Sequence, residues 1–308
     1  MGKADTAMHD GDRRERIAAQ RAAQRRASQR NRLLLAGGAI VVVVAVVLAF
    51  VLLQGGNGSS GSAGGPAGPT GAALTRLTGQ VTSVPAAALD QVGAGAATET
   101  PSVISGAPLT SGGKPEMLYV GAEYCPYCAA ERWAMIVALS RFGTFSGLTT
   151  TRSAAVNGAG AAEVFPSTAT WTFAKARYVS KYLAFTPVEE YTNIPDKSTG
   201  GYTPLTALTP AQEALLQKYD AANQGAIPFI DYGNKFLSVG ATYDPGVLKG
   251  LTWSQIAADL HAPSSTVGQA ALGAANYVTA AICGLTKEQP AAACTPAVRA
   301  LRAKFQGA

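Results

Sequence analysis

Two cysteines separated by two residues, Cys125-Pro-Tyr-Cys128, have the spacing of a redox pair. One sulfur, as a thiolate, can attack a disulfide, and the second can resolve the mixed disulfide that forms. The apolar run at residues 117–120 predicts a buried strand just before the pair, and the apolar spacing after it predicts a helix that ends at Gly143. A cysteine pair between a strand and a helix favours redox activity.

The position of each residue at the start of the predicted helix indicates its role. Cys125 is the candidate nucleophile, because free N–H groups and the helix dipole stabilise negative charge at a helix N-terminus. Cys128 lies one turn further in and is the candidate resolving thiol. Pro126 fits the first turn without losing a hydrogen bond, and Pro126 and Tyr127 are candidate substrate contacts. Glu123 is a candidate for proton handling if it is buried, and a solvated acid is the alternative.

Two other roles for the cysteine pair stay open. A zinc site needs about four N or S ligands, and beyond residue 53 the chain offers only this pair, a distant cysteine pair and His261, which disfavours zinc. A purely structural disulfide between Cys125 and Cys128 would contribute little to stability, because a ring closed across two residues removes little entropy from the unfolded chain. No phosphate-binding loop, Ser-His-Asp order or dinucleotide fingerprint occurs, so no cofactor is expected.

The N-terminal part of the chain predicts a membrane anchor. Residues 33–53 contain no charge and no proline, and as a helix they would span about 30 Å, enough to cross a bilayer core. Residues 1–32 carry nine basic and four acidic side chains, which predicts a cytoplasmic tail. The apolar run is longer than that of a cleaved signal peptide, and no clear cleavage site follows it. We therefore expect a single-pass protein of the cytoplasmic membrane with its N-terminus inside and its C-terminal domain outside.

Composition divides the rest of the chain into a linker and a domain. Gly, Ser and Pro dominate residues 54–72, which predicts a flexible tether, and residues 73–308 are expected to form the extracytoplasmic domain. The basic tail has no aromatic or fold motif for nucleic-acid binding, so we expect the lipid bilayer, and not nucleic acid, as its partner.

The other two cysteines, Cys283 and Cys294, lie at the ends of two predicted helices. All four cysteines follow the membrane segment, and an even count in an oxidising compartment suggests two disulfides. A structural disulfide that closes a loop of this size contributes about 3 kcal/mol. The alternative is a pair that passes electrons to Cys125 and Cys128.

Further elements are predicted from periodicity and turn residues. We expect short strands at residues 148–154, 171–173, 178–185, 229–232 and 235–239, a polar turn region at residues 189–203, and helices that begin near Ala86, Pro210, Ser254, Thr266 and Thr295. About 70 residues separate the strand at 148–154 from Pro228, which predicts an insertion between them.

Three segments carry a resemblance to a known family: GGKPEMLYVGAEYCPYCAAERWAMIVALSRFGTFSGL, IPFIDYGNK and NYVTAAICGLT. From about residue 81 to residue 294 the chain resembles membrane-anchored, thioredoxin-like proteins catalogued as a domain of unknown function. That family is similar to extracytoplasmic thiol–disulfide oxidoreductases such as DsbA-like proteins, and the tetrapeptide Cys-Pro-Tyr-Cys also occurs in glutaredoxins.

The resemblance implies an α/β, thioredoxin-like fold with an insertion and a helical C-terminal extension, preceded by one transmembrane helix. It implies that Cys125 attacks and Cys128 resolves. It also implies a cis bond between Ile227 and Pro228, with the backbone before the proline binding an extended client chain. Tyr127 replaces a histidine that DsbA-like sites often carry, so a strongly oxidising potential is not implied.

The function expected from the sequence is thiol–disulfide exchange on exported proteins through Cys125 and Cys128. A membrane partner that recycles the pair is a further expectation, whereas the direction of electron flow is not indicated. The alternative is a non-catalytic thioredoxin-like module that binds an extended peptide and has structural disulfides.

Overall fold

The structure is a computed structural model that describes residues 68–306 apart from residue 224. The basic tail, the predicted membrane helix and residues 54–67 of the predicted linker lie outside this range, so those expectations stay predictions. Within the part of the chain that is described, no helix is both long enough and apolar enough to cross a bilayer.

Helices and strands are both abundant, which makes the architecture mixed α/β. The helices are α1 (Gly71–Thr82), α2 (Ala86–Val92), α3 (Pro126–Leu139), α4 (Pro210–Asp220), α5 (Trp253–Asp259), α6 (Thr266–Leu285) and α7 (Pro296–Gln306). The strands are β1 (Ser102–Val103), β2 (Thr110–Ser111), β3 (Lys114–Gly121), β4 (Gly143–Ser146), β5 (Thr149–Arg152), β6 (Ala169–Thr172), β7 (Arg177–Ser180), β8 (Ala184–Glu189), β9 (Tyr191–Pro195), β10 (Tyr202–Pro204), β11 (Phe229–Tyr232) and β12 (Phe236–Val239). Helix α1 begins at Gly71, inside the predicted linker.

The centre of the fold is a six-stranded mixed sheet around β3. Strand β3 pairs in parallel with β8 on one side and antiparallel with β11 on the other. Strand β12 lies beyond β11, β1 covers the outer edge of β12, and β2 pairs with the first residues of β3. Because it has neighbours on both sides, β3 is buried from Met117 to Gly121.

Alternate residues of β3 face two separate hydrophobic clusters, as the two-residue period of a strand requires. Met117 and Tyr119 belong to the larger cluster, which contains the apolar side chains of α3 and α6. Leu118 and Val120 belong to a smaller cluster, against which α4 packs. Every residue of α3 except Tyr127 is buried, and α3 also packs against α6. The helix that follows the cysteine pair is therefore fixed between the sheet and a second helix.

The strand predicted at residues 148–154, after which an insertion was expected, lies outside the central sheet. Strand β5, which lies within the residues predicted as that strand, pairs with β6, and β4 pairs with β7 in another two-stranded ribbon. The neighbour of β3 is instead β8, of which only Ala184 and Phe185 belong to the strand predicted at residues 178–185. The sequence did not show this arrangement, because the residues of a short strand do not identify its partner.

The region expected to consist of polar turns, residues 189–203, contains most of the two-stranded ribbon of β9 and β10. The predicted hairpin is confirmed: β11 and β12 pair antiparallel, and Gly233 and Asn234 both adopt positive φ at the turn. The helices predicted to begin near Ala86, Pro210 and Thr266 are also confirmed.

Candidate active site around Cys125 and Cys128

Cys125 is the N-cap of α3, four residues after the end of β3. Its sulfur accepts a hydrogen bond from the backbone N–H of Cys128 at 3.2 Å, and Pro126 occupies the first turn. This is the position in which unpaired N–H groups and the helix dipole stabilise a negative charge. The local sequence thus places one sulfur at the head of the helix and the other one turn behind it, as predicted.

The two thiols differ in how readily they ionise. Burial by itself raises the pKa of Cys125, but the hydrogen bonds from the side chain and backbone of Cys128, together with the charge of Arg132, outweigh it and leave the pKa below that of an ordinary thiol. Burial raises the pKa of Cys128, and the hydrogen bond to Cys125 and the charge of that residue raise it further. Cys125 is therefore the sulfur with the greater thiolate character.

The peptide bond between Ile227 and Pro228 is cis, as the resemblance implies. It lies against the cysteine pair, because the sulfur of Cys125 is 3.7 Å from the carbonyl oxygen of Ile227. The carbonyl of Pro228 accepts a hydrogen bond from the N–H of Gly240 at 2.8 Å, which holds this loop to the end of β12. The tertiary structure thus brings together residues that are 102 positions apart in the chain.

Access to the pair is narrow. Only 4% of the surface of Cys125 is exposed, and Cys128 is fully buried. Pro126 and Pro228 are buried and Ile227 is half-buried, whereas Tyr127 is 41% exposed. Of the predicted substrate contacts, Tyr127 therefore offers the most surface to a client chain.

Aromatic side chains contact Tyr124 and Tyr127, the tyrosines on either side of Cys125 in the sequence. The ring of Tyr124 stacks on that of Tyr202 with centroids 4.0 Å apart, and Tyr191 meets Tyr124 edge to face at 6.2 Å. Tyr127 meets Phe165 edge to face, also at 6.2 Å. Phe165 and the β9–β10 ribbon therefore pack against the two tyrosines that flank Cys125 in the chain.

Glu123 does not meet the condition set for proton handling. It is half-buried, and its backbone N–H donates to the carbonyl of Tyr191 at 2.9 Å. Glu131 and Glu189 are among the buried acids that were not predicted from the sequence. Among the described residues, no group of three or more His, Cys, Asp or Glu side chains is placed to hold a metal ion.

A fully buried ion pair lies beneath the cysteines. Arg132 donates from Nε and Nη2 to the two carboxylate oxygens of Glu189 at 2.9 and 2.6 Å, and from Nη2 to the carbonyl of Ala122 at 2.7 Å. Arg132 lies four residues after Cys128, on the same face of α3. That spacing could have indicated from the sequence that Arg132 lies near Cys128. Its partner Glu189, on β8, is 57 residues away and could not be identified from the sequence.

Of the two disulfides expected, the described residues contain one, which joins Cys283 near the end of α6 to Cys294, with Cα atoms 5.7 Å apart. Cys125 and Cys128 are free thiols in this structure. The two residues are 0% and 1% exposed. His261, at the end of α5, is exposed, and its Nε2 lies 2.9 Å from the carbonyl oxygen of Gln80.

Comparison with known proteins identifies a family for the chain but no activity. No curated protein and no solved structure matches the sequence. Residues 100–284 match the domain of unknown function DUF929. This segment extends from just before β1 to near the end of α6, so it contains the cysteine pair, the cis-proline loop and the buried ion pair. Since the match covers more than half of the sequence, the chain belongs to the DUF929 family.

Proposed function

We propose that the protein is a thiol–disulfide oxidoreductase with a thioredoxin-like fold. The observation that carries the proposal is the position of the Cys125 sulfur, at the N-terminus of α3 and 3.7 Å from the carbonyl of Ile227 in a cis-proline loop. A sulfur with lowered pKa beside a backbone segment that can align a client chain has the two properties that exchange requires.

The order of elements supports the thioredoxin-like assignment. Strand β3, the cysteine pair and α3 come first, and β8 then pairs in parallel with β3. Helix α4 and the cis-proline loop lead into the β11–β12 hairpin, and helices follow. This is the order expected of a thioredoxin-like site: a strand, the cysteine pair and a helix, followed later by the proline, a hairpin and a helix.

The exchange reaction has two steps. The thiolate of Cys125 attacks one sulfur of a client disulfide, forming a mixed disulfide and releasing the other client sulfur as a thiolate. Cys128 then loses its proton and attacks the sulfur of Cys125, which releases the second client thiolate. The client disulfide is reduced and the pair is oxidised to a disulfide, and the same steps in reverse oxidise a client dithiol.

The proposed clients are exported proteins that contain thiols or disulfides. The proposed location is the outer side of the cytoplasmic membrane, with residues 33–53 as the anchor and a membrane redox partner that recycles the pair. These parts of the proposal rest on the charge and hydropathy of residues 1–53.

Trapping of clients tests the proposal. In a Cys128→Ser variant the mixed disulfide on Cys125 cannot be resolved, so covalent client adducts should accumulate and disappear on reduction. The matched control is the double variant Cys125→Ser/Cys128→Ser, which lacks the attacking sulfur. Adducts that are absent from Cys128→Ser, or equally abundant in the control, would contradict the proposal.

A second candidate function is a non-catalytic module that binds extended peptides. The observation in its favour is the 4% exposure of Cys125, which leaves little sulfur surface for a client to reach. Such a module would bind peptide without forming adducts, and its cysteine pair would not equilibrate with a glutathione redox buffer. Equilibration measured in that buffer would exclude it and would also give the reduction potential.

A further inference from the structure

A small space beside Gly121, at the end of β3, is shared by a sulfur and a hydroxyl. A Cβ placed on Gly121 would collide with the hydroxyl of Tyr119 and would lie 3.1 Å from the sulfur of Cys128. Both atoms therefore face the space that the absent side chain of Gly121 leaves open. Tyr119 and Cys128 are fully buried, so this space lies in the interior, behind Cys125.

Two hydrogen-bond donors in this region have no partner among the described residues. They are the hydroxyl of Tyr119 and Nη1 of Arg132. A buried polar group without a partner usually costs about 1–3 kcal/mol, so two of them close together call for an explanation. The guanidinium carbon of Arg132 lies 5.9 Å from the centre of the Tyr119 ring. The charge of Arg132 also acts to lower the pKa of Cys128, so the guanidinium lies near the same thiol as the hydroxyl of Tyr119.

The resolving step creates a charge at this place. In the mixed disulfide Cys125 is bound to the client, and Cys128 must become a thiolate in order to attack it. A buried thiolate needs donors, because burial favours the neutral thiol. Arg132 stays protonated and can supply charge, while burial raises the pKa of Tyr119, so its hydroxyl keeps the proton that it would donate.

We propose that Tyr119, assisted by Arg132, stabilises the thiolate of Cys128 during resolution of the mixed disulfide. This inference rests on the proposed function and deepens it. Both side chains act as positioning residues, since the sulfurs alone exchange bonds. Glu189, on β8, holds the guanidinium in place through two hydrogen bonds.

The other charged or titratable groups around Cys128 do not offer the same donor. Cys125 is bound to the client in the mixed disulfide, so it has no thiol hydrogen to donate to the thiolate of Cys128. Tyr124, in the loop before α3, is only partly buried, and its ring stacks on Tyr202. Glu131, on α3, accepts hydrogen bonds from Thr242.

Reaction of the reduced full-length protein with the aromatic disulfide 5,5′-dithiobis(2-nitrobenzoate) separates the two steps. Attack by Cys125 releases one thionitrobenzoate and leaves the other bound to its sulfur. Attack by Cys128 on that sulfur then forms the Cys125–Cys128 disulfide and releases the second thionitrobenzoate. The first phase thus reports Cys125 and the second phase reports Cys128, with the disulfide of the probe as the oxidant.

Tyr119→Phe removes the hydroxyl and keeps the ring. We expect the second phase to slow by about three- to tenfold below pH 8, because less thiolate is present although each thiolate is more nucleophilic. The pH profile of the second phase should move upward by about one unit, and the first phase should change less than about twofold. The matched control is Tyr232→Phe on β11, since Tyr232 is also fully buried with a hydroxyl that has no partner among the described residues.

The outcomes distinguish the inference from the function on which it rests. If the unmodified protein shows no second phase, the proposed function fails. If the second phase of Tyr119→Phe is as fast as that of the unmodified protein, the hydroxyl has no such role. The same holds if Tyr119→Phe and Tyr232→Phe slow the second phase equally. Either result leaves the proposed function standing. Slowing that is confined to Tyr119→Phe, together with the shifted pH profile, supports it.

Discussion

Replacing Glu131 with glutamine should stabilise the protein at alkaline pH and leave its stability at acid pH almost unchanged. Glu131 lies in α3 and is fully buried. One carboxylate oxygen accepts hydrogen bonds from the backbone N–H and the hydroxyl of Thr242 at 2.9 and 2.8 Å. The other oxygen has no partner among the described residues. Burial raises the pKa of Glu131 to about 7, although the bonds from Thr242 oppose the rise.

The sign of the effect follows from proton binding. An acid whose pKa is raised by folding binds its proton more tightly in the folded state, so its contribution to stability is present at low pH and is lost as pH rises through the folded pKa. For Glu131 the window runs from its ordinary pKa of 4.5 to about 7. At about 1.4 kcal/mol per pKa unit, the free energy of unfolding falls by about 3 kcal/mol across this window.

Glutamine resembles the protonated carboxyl and can still accept both hydrogen bonds from Thr242. At pH 8 the free energy of unfolding of Glu131→Gln should therefore exceed that of the unmodified protein by up to about 3 kcal/mol, and near pH 4 the two should agree within about 1 kcal/mol. Two nearby buried tyrosines, Tyr232 and Tyr243, stay neutral over this range because burial raises the pKa of each.

Urea unfolding of the full-length protein in a non-ionic detergent, followed by tryptophan fluorescence between pH 4 and pH 8, measures the difference. Glu123→Gln is the control, because it removes the same charge from a half-buried position. Any effect common to both variants comes from net charge. If the stability of Glu131→Gln falls with pH as steeply as that of the unmodified protein, Glu131 is not the buried acid responsible and the reasoning is refuted.

Two further predictions concern stability. Replacing both Cys283 and Cys294 with alanine opens a loop whose ends are 11 residues apart, and it should lower the free energy of unfolding by about 3 kcal/mol in urea melts while leaving the thiol reactivity of the reduced Cys125 unchanged. Arg132→Met should lower the free energy of unfolding by about 3–5 kcal/mol, because it leaves Glu189 charged and buried without its partner. The double variant Arg132→Met/Glu189→Leu should recover much of that loss. A double variant no more stable than Arg132→Met would contradict the ion-pair explanation.

Much of the fold could be read from the sequence because it depends on neighbours along the chain. Thr209 caps α4, and its hydroxyl accepts from the backbone N–H of Gln212 as the sequence pattern indicates. The Gly233-Asn234 turn specified the hairpin of β11 and β12 through its positive φ angles. The strand before Cys125 and the helix after it followed from apolar runs of different period.

The partners of the strands could not be read in the same way. The Thr-rich segment of β5 indicates a strand, but nothing in its residues shows that it pairs with β6 and that β8 takes the place beside β3. Pairing in parallel requires a long connection, and the chain places two short ribbons within it.

By itself the sequence determined the sulfur chemistry at the head of α3, because Cys125, Pro126 and Cys128 are neighbours and a helix N-terminus acts over one turn. Only the tertiary structure decided what surrounds that chemistry. It set the narrow exposure of Cys125, and it buried Arg132 against a carboxylate 57 residues away. Burial and charge pairing depend on which distant segments fold together, and these determine how easily each sulfur ionises.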